Sequence, residues 1–164
     1  MPSSTLTRSA PDTLIRHLEP RDTVAAIGLA RAFHAESAYA AMPLALAKVD
    51  QTIRAAMTDP DRYCVVLADK ATDTIVGYLM AVVYEHYFSY TLTCSDLGFY
   101  IEPAYRNPFA ARAMLVQLEH WAFVVKGVAD ISLGVSSGIA DAAILRFYER
   151  LGYTRGYSGV IKSR

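Results

Sequence analysis

The residues best suited to chemistry lie where a strand turns sharply into a long helix, in the segment from Leu97 to Ala111. A helix that begins directly after a strand exposes unpaired backbone N–H groups at the positive end of the helix dipole. Such a site can bind a pyrophosphate, and Arg106 and Arg112 would add positive charge there. The structural alternative is that every helix needs a start and that Pro108 only occupies the favoured first position.

Two motifs carry a resemblance to a known family. Glu102-Pro103-Ala104-Tyr105-Arg106 resembles the strand-end signature of the GNAT N-acetyltransferase superfamily, and Phe147-Tyr148-Glu149-Arg150-Leu151-Gly152-Tyr153 resembles its second signature. Their separation is that of the family, and the resemblance extends over about Leu14 to Lys162. It implies an acetyl-CoA-dependent N-acyltransferase in which a primary amine attacks the thioester directly, without a covalent enzyme intermediate.

The phosphate loop departs from the family pattern at one position. The pattern has Arg or Gln, then Gly three residues later, then Gly or Ala; these slots hold Arg106, Phe109 and Ala111. Glycine lets the backbone approach the phosphates closely, and Pro108 also lacks an N–H group to donate. Losing one charge-assisted hydrogen bond costs about 1.5 to 3 kcal/mol, so we expect cofactor affinity to fall roughly ten- to a hundred-fold without being abolished.

The resemblance also implies where acetyl-CoA binds. The backbone of Phe99, Tyr100 and Ile101 would pair with the pantetheine arm as with an added strand, in an opening where the fourth and fifth strands splay apart. These three residues could equally be core fillers. The implied cofactor site comprises Phe99, Tyr100, Ile101, Arg106, Asn107, Phe109, Ala110, Ala111 and Arg112.

Tyr148 is the expected general acid, because the family places a tyrosine at this point of its second signature, beside the cofactor sulfur. A phenol with a pKa of about 10 stays protonated at neutral pH and can donate to a forming thiolate. The alternative is a core aromatic, since Tyr148 shares a helical stripe with Ile144 and Leu151. Asp141 stands where many relatives carry an asparagine near the pantetheine.

The amine must lose a proton, and Asp96 is the simplest candidate base on the central strands. Glu85 and His86, at the end of the preceding strand, could act through water, and each of the three could equally be a solvated residue. The region between the two early helices shapes the acceptor pocket in relatives, but no spacing there specifies a substrate. It contains His34, Glu36, Ser37 and Tyr39.

Hydrophobic periodicity predicts the elements that position these residues. Leu14–Leu18 reads as a strand, followed by a helix that Asp22 caps and that runs to about Tyr39. Met42-Pro43 interrupts the pattern. A second helix follows, marked by Leu46, Val49, Ile53 and Met57.

Three strand-like runs come next: Tyr63–Ala68 and Thr74–Tyr84, which should form an antiparallel hairpin, and Thr91–Ile101. If side chains alternate strictly along the third run, Leu97, Phe99 and Ile101 lie on one face of the sheet, and Asp96, Gly98 and Tyr100 lie on the other.

The last third of the chain alternates helices and strands. A long helix should end at Lys126-Gly127, followed by a strand at Ile131–Val135, a helix that Gly152 ends, and a last strand at about Tyr153–Lys162. This order predicts one α/β domain with a mixed sheet. The resemblance specifies a GNAT-type, mostly antiparallel central sheet flanked by helices and splayed between its fourth and fifth strands.

The composition of the chain restricts the classes of partner that it is expected to bind. The chain has 164 residues, 53% of them apolar, and carries 16 basic and 16 acidic residues, so no net charge attracts nucleic acid or an anionic membrane. We expect a polar tail at residues 1–11 and a single domain at 12–164. Cys64 and Cys94 form neither a disulfide framework nor a metal site, which favours a reducing, cytoplasmic location.

The expected partner is a small-molecule or peptide amine, with no nucleic acid, membrane or metal. Two alternatives to the enzyme stay open. One is a GNAT-fold protein that binds acyl-CoA with weak or lost transfer activity, suggested by Pro108 and Phe109. The other is an oligomerising adaptor, for example a homodimer, that uses the aromatic stretch Tyr84–Tyr90 as its contact surface.

Overall fold

A five-stranded sheet forms the centre of the computed structural model, which describes residues 12–136 and 141–156. The strands lie in chain order: β1 (Thr13–His17), β2 (Arg62–Asp69), β3 (Ile75–Glu85), β4 (Leu92–Ile101) and β5 (Ile131–Ser132). The first four pair antiparallel, whereas β4 and β5 pair parallel. The predicted mixed, mostly antiparallel sheet is confirmed, while the predicted tail at residues 1–11 lies outside the described residues.

Helices cover both faces of the sheet. They are α1 (Thr23–Glu36), α2 (Leu46–Thr58), α3 (Pro108–Glu119) and α4 (Asp141–Arg150). Helices α1 and α2 pack on one face, and α3 and α4 pack on the other. None of these helices combines the length and the apolar character needed to cross a membrane.

Strand β2 shows why the sheet is buried on both faces. Val65 and Leu67 point into the core under α3 and α4, whereas Val66 and Ala68 point into the core under α1 and α2. Successive side chains of a strand face opposite sides, so a continuous apolar run is what a doubly covered strand requires. All four residues are at most 1% exposed, which makes this hairpin strand the rigid support of the site.

The start and end of α1 differ from the prediction. Asp22 makes no side-chain cap; it forms an ion pair with Arg16 at 2.6 Å and accepts a hydrogen bond from the Glu19 N–H. The helix ends at Glu36, before the predicted Tyr39, because Ser37 adopts an extended backbone and its hydroxyl donates to the His34 carbonyl.

The second half of the chain also departs from the prediction in three places. Helix α3 continues to the predicted end, but its last part, His120–Lys126, is a π-helix that ends at Gly127 with a φ of 67°. Strand β5 is only two residues long, against the predicted Ile131–Val135. Of the predicted last strand, residues 153–156 are irregular and 157–162 lie outside the described residues.

A β-bulge at Leu97 overturns the predicted alternation in β4. Met80 of β3 lies opposite Gly98, but Ala81 lies opposite Asp96, so Leu97 is an extra residue in β4. Directly opposed residues share a face, and Ala81 belongs to the core under α3 and α4. Asp96 therefore shares that face with Phe99 and Ile101, whereas Leu97 joins Gly98 and Tyr100 on the α1–α2 face.

Candidate active site

An opening between β4 and β5 is the central feature of the site. The two strands pair only at Cys94 with Ile131 and at Ser95 with Ser132. Beyond these pairs, residues 96–101 of β4 and residues 133–136 do not pair with each other; we call this opening the β4–β5 gap. It confirms the predicted splay and leaves an edge of β4 that an extended ligand could pair with.

Asp96 lies where the β4–β5 gap begins. Its Oδ1 accepts a hydrogen bond of 2.8 Å from the Gly134 N–H, so the side chain bridges the two strands just after their backbones separate. Burial raises the pKa of this carboxyl above its ordinary value, and the Gly134 N–H opposes the rise. A carboxylate with a raised pKa is a stronger base than an exposed one, as a general base requires.

Tyr148 lies on α4 and is only 8% exposed. Its ring packs against those of Phe147 and Tyr153, each 5.8 Å away between centroids. Burial raises the pKa of the phenol, and the negative charge of Asp96 raises it further. The structure thus brings the two predicted catalytic residues to the same face of β4 and keeps the phenol protonated at neutral pH.

The two alternative bases lie elsewhere. Glu85 ends β3 and pairs with Leu92, the first residue of β4, so it lies at the hairpin end of the two strands, four residue pairs away from Asp96. His86 is exposed and stacks with Tyr87 and Phe88 in the hairpin loop. The structure does not bring Glu85 or His86 to the β4–β5 gap.

The predicted pantetheine segment occupies the gap edge of β4. Phe99 and Ile101 pack on the α3–α4 side, and Tyr100 packs on the α1–α2 side. The Tyr100 hydroxyl donates a 2.9 Å hydrogen bond to Glu36 Oε1 at the end of α1. All three residues therefore fill core positions and also line the gap, so the two interpretations of the sequence are compatible.

Arg106 is bound to the protein itself. Its Nε donates to the Ile101 carbonyl at 2.7 Å, its Nη2 donates to Glu36 Oε2 at 2.6 Å, and its guanidinium lies 5.4 Å from the Tyr100 ring centroid. These bonds lower the pKa of Glu36, first through Arg106 and then through Tyr100. A phosphate at this place would compete with Glu36 for the guanidinium.

The first turn of α3 offers few backbone donors. Asn107 caps the helix, because its Oδ1 accepts a 2.8 Å hydrogen bond from the Ala110 N–H, and its carbonyl accepts from the Ala111 N–H at 3.2 Å. Pro108 has no N–H group. The Phe109 N–H is in no hydrogen bond of the described residues, and its side chain is 83% exposed.

Arg112 borders a different part of the molecule. It lines a polar cleft of about 280 Å³ between α3 and the end of α4, together with Glu119 and Arg150. Its side chain is therefore placed toward α4, whereas Arg106 is placed toward α1. Asp141, at the predicted pantetheine slot, is the first residue of α4.

The end of α1 connects the two sides of the β4–β5 gap. Glu36 reaches Tyr100 and Arg106 on one side, and the Ala38 N–H donates a 2.7 Å hydrogen bond to the Ser136 carbonyl on the other. The family resemblance implies a place near the acceptor pocket for Glu36, but it implies none of these contacts. No sequence signal indicates them, because Glu36 and Arg106 are 70 residues apart.

Among the described residues, no group of three or more His, Cys, Asp or Glu side chains could hold a metal ion.

The other candidate residues near the acceptor pocket stabilise the connection between α1 and α2. His34 Nε2 lies 2.9 Å from the Met42 carbonyl, and the Ser37 hydroxyl donates to the His34 carbonyl. Tyr39 is half exposed in the α1–α2 loop.

Comparison with known proteins decides the family. The model of the acetyltransferase (GNAT) family matches residues 27–153, which is more than half of the 164 residues and includes both signatures. The chain belongs to this family. The resemblance predicted from the two motifs is thus confirmed, and no curated protein matches the chain.

Solved GNAT structures share the fold. An acetyltransferase from Trypanosoma brucei superposes with a TM-score of 0.69 at 19% identity, covering 93% of this chain and 100% of the other. An aminoglycoside acetyltransferase from an uncultured soil sample gives 0.68 at 17%, covering 93% and 95%. A ribosomal-protein-alanine N-acetyltransferase from Brucella melitensis gives 0.66 at 15%, covering 93% and 99%. Identities this low concern the fold alone.

Proposed function

We propose that the protein transfers an acetyl group from acetyl-CoA to a primary amine by direct attack in a ternary complex. The observation that carries this proposal is that Asp96, at the start of the β4–β5 gap, and Tyr148, on α4, lie on the same face of β4, close enough for the charge of Asp96 to raise the pKa of the phenol. Membership of the acetyltransferase family supports it. When bound, acetyl-CoA supplies an activated acetyl group as a thioester.

The chain's own groups fit such a co-substrate in part. The edge of β4 at Phe99–Ile101, with which β5 does not pair, offers backbone partners to an extended amide-containing arm, but its Ile101 carbonyl already accepts a hydrogen bond from Arg106 Nε. The α3 N-terminus offers a positive dipole end and the Phe109 N–H to a pyrophosphate. Arg106 can join only by leaving Glu36, and the Ala110 N–H only by leaving Asn107.

Asp96 and Tyr148 each carry out one of the two proton transfers that the reaction needs. Asp96 accepts a proton from the attacking amine, because burial has raised the pKa of its carboxyl. Tyr148 donates a proton to the departing sulfur, because burial keeps its phenol protonated. Backbone N–H groups at the edge of β4 that does not pair with β5 polarise the carbonyl under attack.

A second candidate is an acyl-CoA-binding protein with weak or lost transfer activity. Its support is the first turn of α3, where Asn107 occupies the Ala110 N–H and Pro108 has none. A third is an oligomerising adaptor, supported by the exposed hairpin loop in which Tyr87, Phe88 and Tyr90 are each more than three-quarters exposed.

Binding and turnover together separate the three candidates. We expect acetyl-CoA at 100 times its dissociation constant to stabilise the fold by about 2.7 kcal/mol, measured as a rise in melting temperature, and a screen of primary amines to release coenzyme A. Binding without turnover on any amine would favour the second candidate. No shift at millimolar acetyl-CoA, with concentration-dependent dimerisation in sedimentation, would overturn the enzyme and favour the adaptor.

A further inference from the structure

An apolar cavity lies between α1, α2 and the sheet; we call it the α1–α2 cavity. Its volume is about 210 Å³, and its walls include Phe33 from α1, Val49 and Ile53 from α2, and Met80 from β3. Within the described part of the chain, the polar groups of its lining are the Lys48 ammonium and the Thr52 hydroxyl of α2, the Tyr78 hydroxyl of β3 and the Cys64 thiol of β2. The cavity is thus walled mostly by hydrocarbon and carries a single cation.

The α1–α2 cavity reaches β4 directly beside Asp96. Leu97, the bulge residue, lines the cavity. At the next residue, a Cβ added to Gly98 would lie 3.1 Å from Tyr78 Oη and 3.3 Å from the Phe33 ring, and both Tyr78 and Phe33 are cavity residues. The cavity therefore opens against the part of β4 that has no partner in β5.

The bulge makes this arrangement possible. Without the extra residue, Leu97 would share a face with Phe99 and point under α3 and α4. With it, the apolar Leu97 faces the cavity while Asp96, one residue earlier, reaches across the β4–β5 gap to Gly134. A ligand in the cavity thus lies on the α1–α2 face of the sheet. The lining residue Leu97 directly follows Asp96, whose carboxylate bonds to Gly134 at the start of the β4–β5 gap.

The size and lining of the cavity restrict what it can bind. An apolar protein cavity of about 150 Å³ accommodates benzene, so about 210 Å³ suits one aromatic ring or a branched aliphatic group with a short chain. A second ammonium or a ring with several hydroxyls would lose its hydration there, with only the Thr52 and Tyr78 hydroxyls and the Lys48 ammonium as polar partners. The Lys48 ammonium would in addition repel a polycation.

We propose that the α1–α2 cavity binds the apolar substituent of the acceptor, so that the acceptor is a small primary amine with one aromatic or branched aliphatic group. This inference rests on the proposed acetyl transfer. The amine nitrogen bonds to the acetyl carbon as the carbon–sulfur bond breaks. Asp96 takes one proton from nitrogen, Tyr148 gives one to sulfur, and exchange with solvent then returns both side chains to their starting states.

Filling the cavity tests the assignment. Ala30 of α1 lines the cavity, and Ala30→Phe places a ring inside it. Ala35→Phe makes the same substitution at an exposed position of the same helix and is the matched control. If Ala30→Phe fails to fold, Val49→Ala enlarges the cavity instead and should improve kcat/KM for amines bulkier than 2-phenylethylamine.

The kinetic comparison uses 2-phenylethylamine, 3-methylbutylamine and spermidine. We expect kcat/KM for the two apolar amines to exceed that for spermidine by at least about tenfold, the scale on which hydrophobic pockets discriminate. Ala30→Phe should remove this preference at an unchanged KM for acetyl-CoA, and Ala35→Phe should keep it. Equal or better turnover of spermidine, or an Ala30→Phe variant with the parent preference, would overturn the assignment.

Binding without acetyl-CoA distinguishes this inference from the proposed function. The binding of 2-phenylethylamine to the parent and to Ala30→Phe is measured by protein-observed NMR titration. If no amine is acetylated, but the parent binds 2-phenylethylamine and Ala30→Phe does not, the enzyme proposal fails while the cavity assignment stands. If the parent does not bind it, or both proteins bind it equally, the cavity assignment fails whatever the turnover.

Discussion

Replacing Asp96 by asparagine and by alanine separates its proposed role as general base from its hydrogen bond to Gly134. Asp96→Asn removes the proton acceptor but keeps an oxygen to which the Gly134 N–H can donate. Asp96→Ala removes both. We expect Asp96→Asn to lower kcat by about a hundred- to ten-thousand-fold, the usual contribution of a general base, while the gap between β4 and β5 keeps its shape.

The effects on stability differ in sign. In Asp96→Ala the exposed Gly134 N–H loses its protein acceptor; because water can replace that acceptor, the cost is that of one ordinary hydrogen bond, about 0.5 to 1.5 kcal/mol. In Asp96→Asn the hydrogen bond remains and the buried charge is gone. Because burial raises the pKa of Asp96, its ionised form destabilises the fold at neutral pH, so Asp96→Asn should be at least as stable as the parent there.

The pH dependence follows from the same shift. A carboxyl with a raised pKa in the folded state binds its proton more readily when folded, so the parent gains stability as the pH falls through the folded pKa toward the unfolded value. The stability advantage of Asp96→Asn should therefore shrink over that range. Urea unfolding followed by the fluorescence of Trp121, the only tryptophan, measures it at each pH.

Three results would contradict this reasoning. Parent turnover in Asp96→Asn would show that Asp96 is not the base. An unchanged free energy of unfolding in Asp96→Ala would show that the bond to Gly134 contributes nothing. A stability difference between Asp96→Asn and the parent that stays constant from neutral to acidic pH would show that the pKa of Asp96 is not raised by folding.

Four further variants test other parts of the molecule. Tyr148→Phe should lower turnover by about a hundredfold or more with little change in acetyl-CoA affinity, and a parent rate at every pH would make Tyr148 a core aromatic only. Phe109→Gly should tighten acetyl-CoA binding in calorimetry and cost roughly 0.5 to 1 kcal/mol of stability, whereas weaker binding would show that Phe109 contacts the cofactor. Arg106→Glu should raise the dissociation constant of acetyl-CoA, whereas Glu36→Gln, which removes the competing carboxylate but keeps the arginine, should leave it unchanged or lower it; equal effects would remove Arg106 from the phosphate site. Leu118→Ala, at a fully buried position of α3, should cost about 2 to 5 kcal/mol in urea unfolding, and a loss below 1 kcal/mol would contradict the packing under α3.

Much of the fold was predictable because it depends on local periodicity. The apolar spacing of α2 marks one face of a helix, and the doubly apolar run of β2 marks a strand covered on both sides. The boundaries that were wrong are those that individual hydrogen bonds decide. Helix α1 ends early because the Ser37 hydroxyl donates to the His34 carbonyl. The spacing of apolar residues does not predict such a bond.

The candidate site was predictable only in its list of residues. The motif around Tyr148 and the position of Asp96 on a central strand were enough to name both residues. Their environment was not, because burial and neighbouring charge set the pKa of each. Arg106 shows the same limit: the motif places it at the phosphate loop, but its guanidinium is bound by Glu36, which no spacing connects to it.

The sequence by itself determined the types and order of the elements and, through two short motifs, the family. Both are properties of neighbouring residues: periodicity reports which face of an element is buried, and a motif reports local backbone geometry. Tertiary structure alone decided the bulge at Leu97, the bond from Gly134 to Asp96 and the cavity under α1 and α2. The physical reason is that one inserted residue reverses the faces of a strand, and only pairing with β3 reveals where the insertion lies.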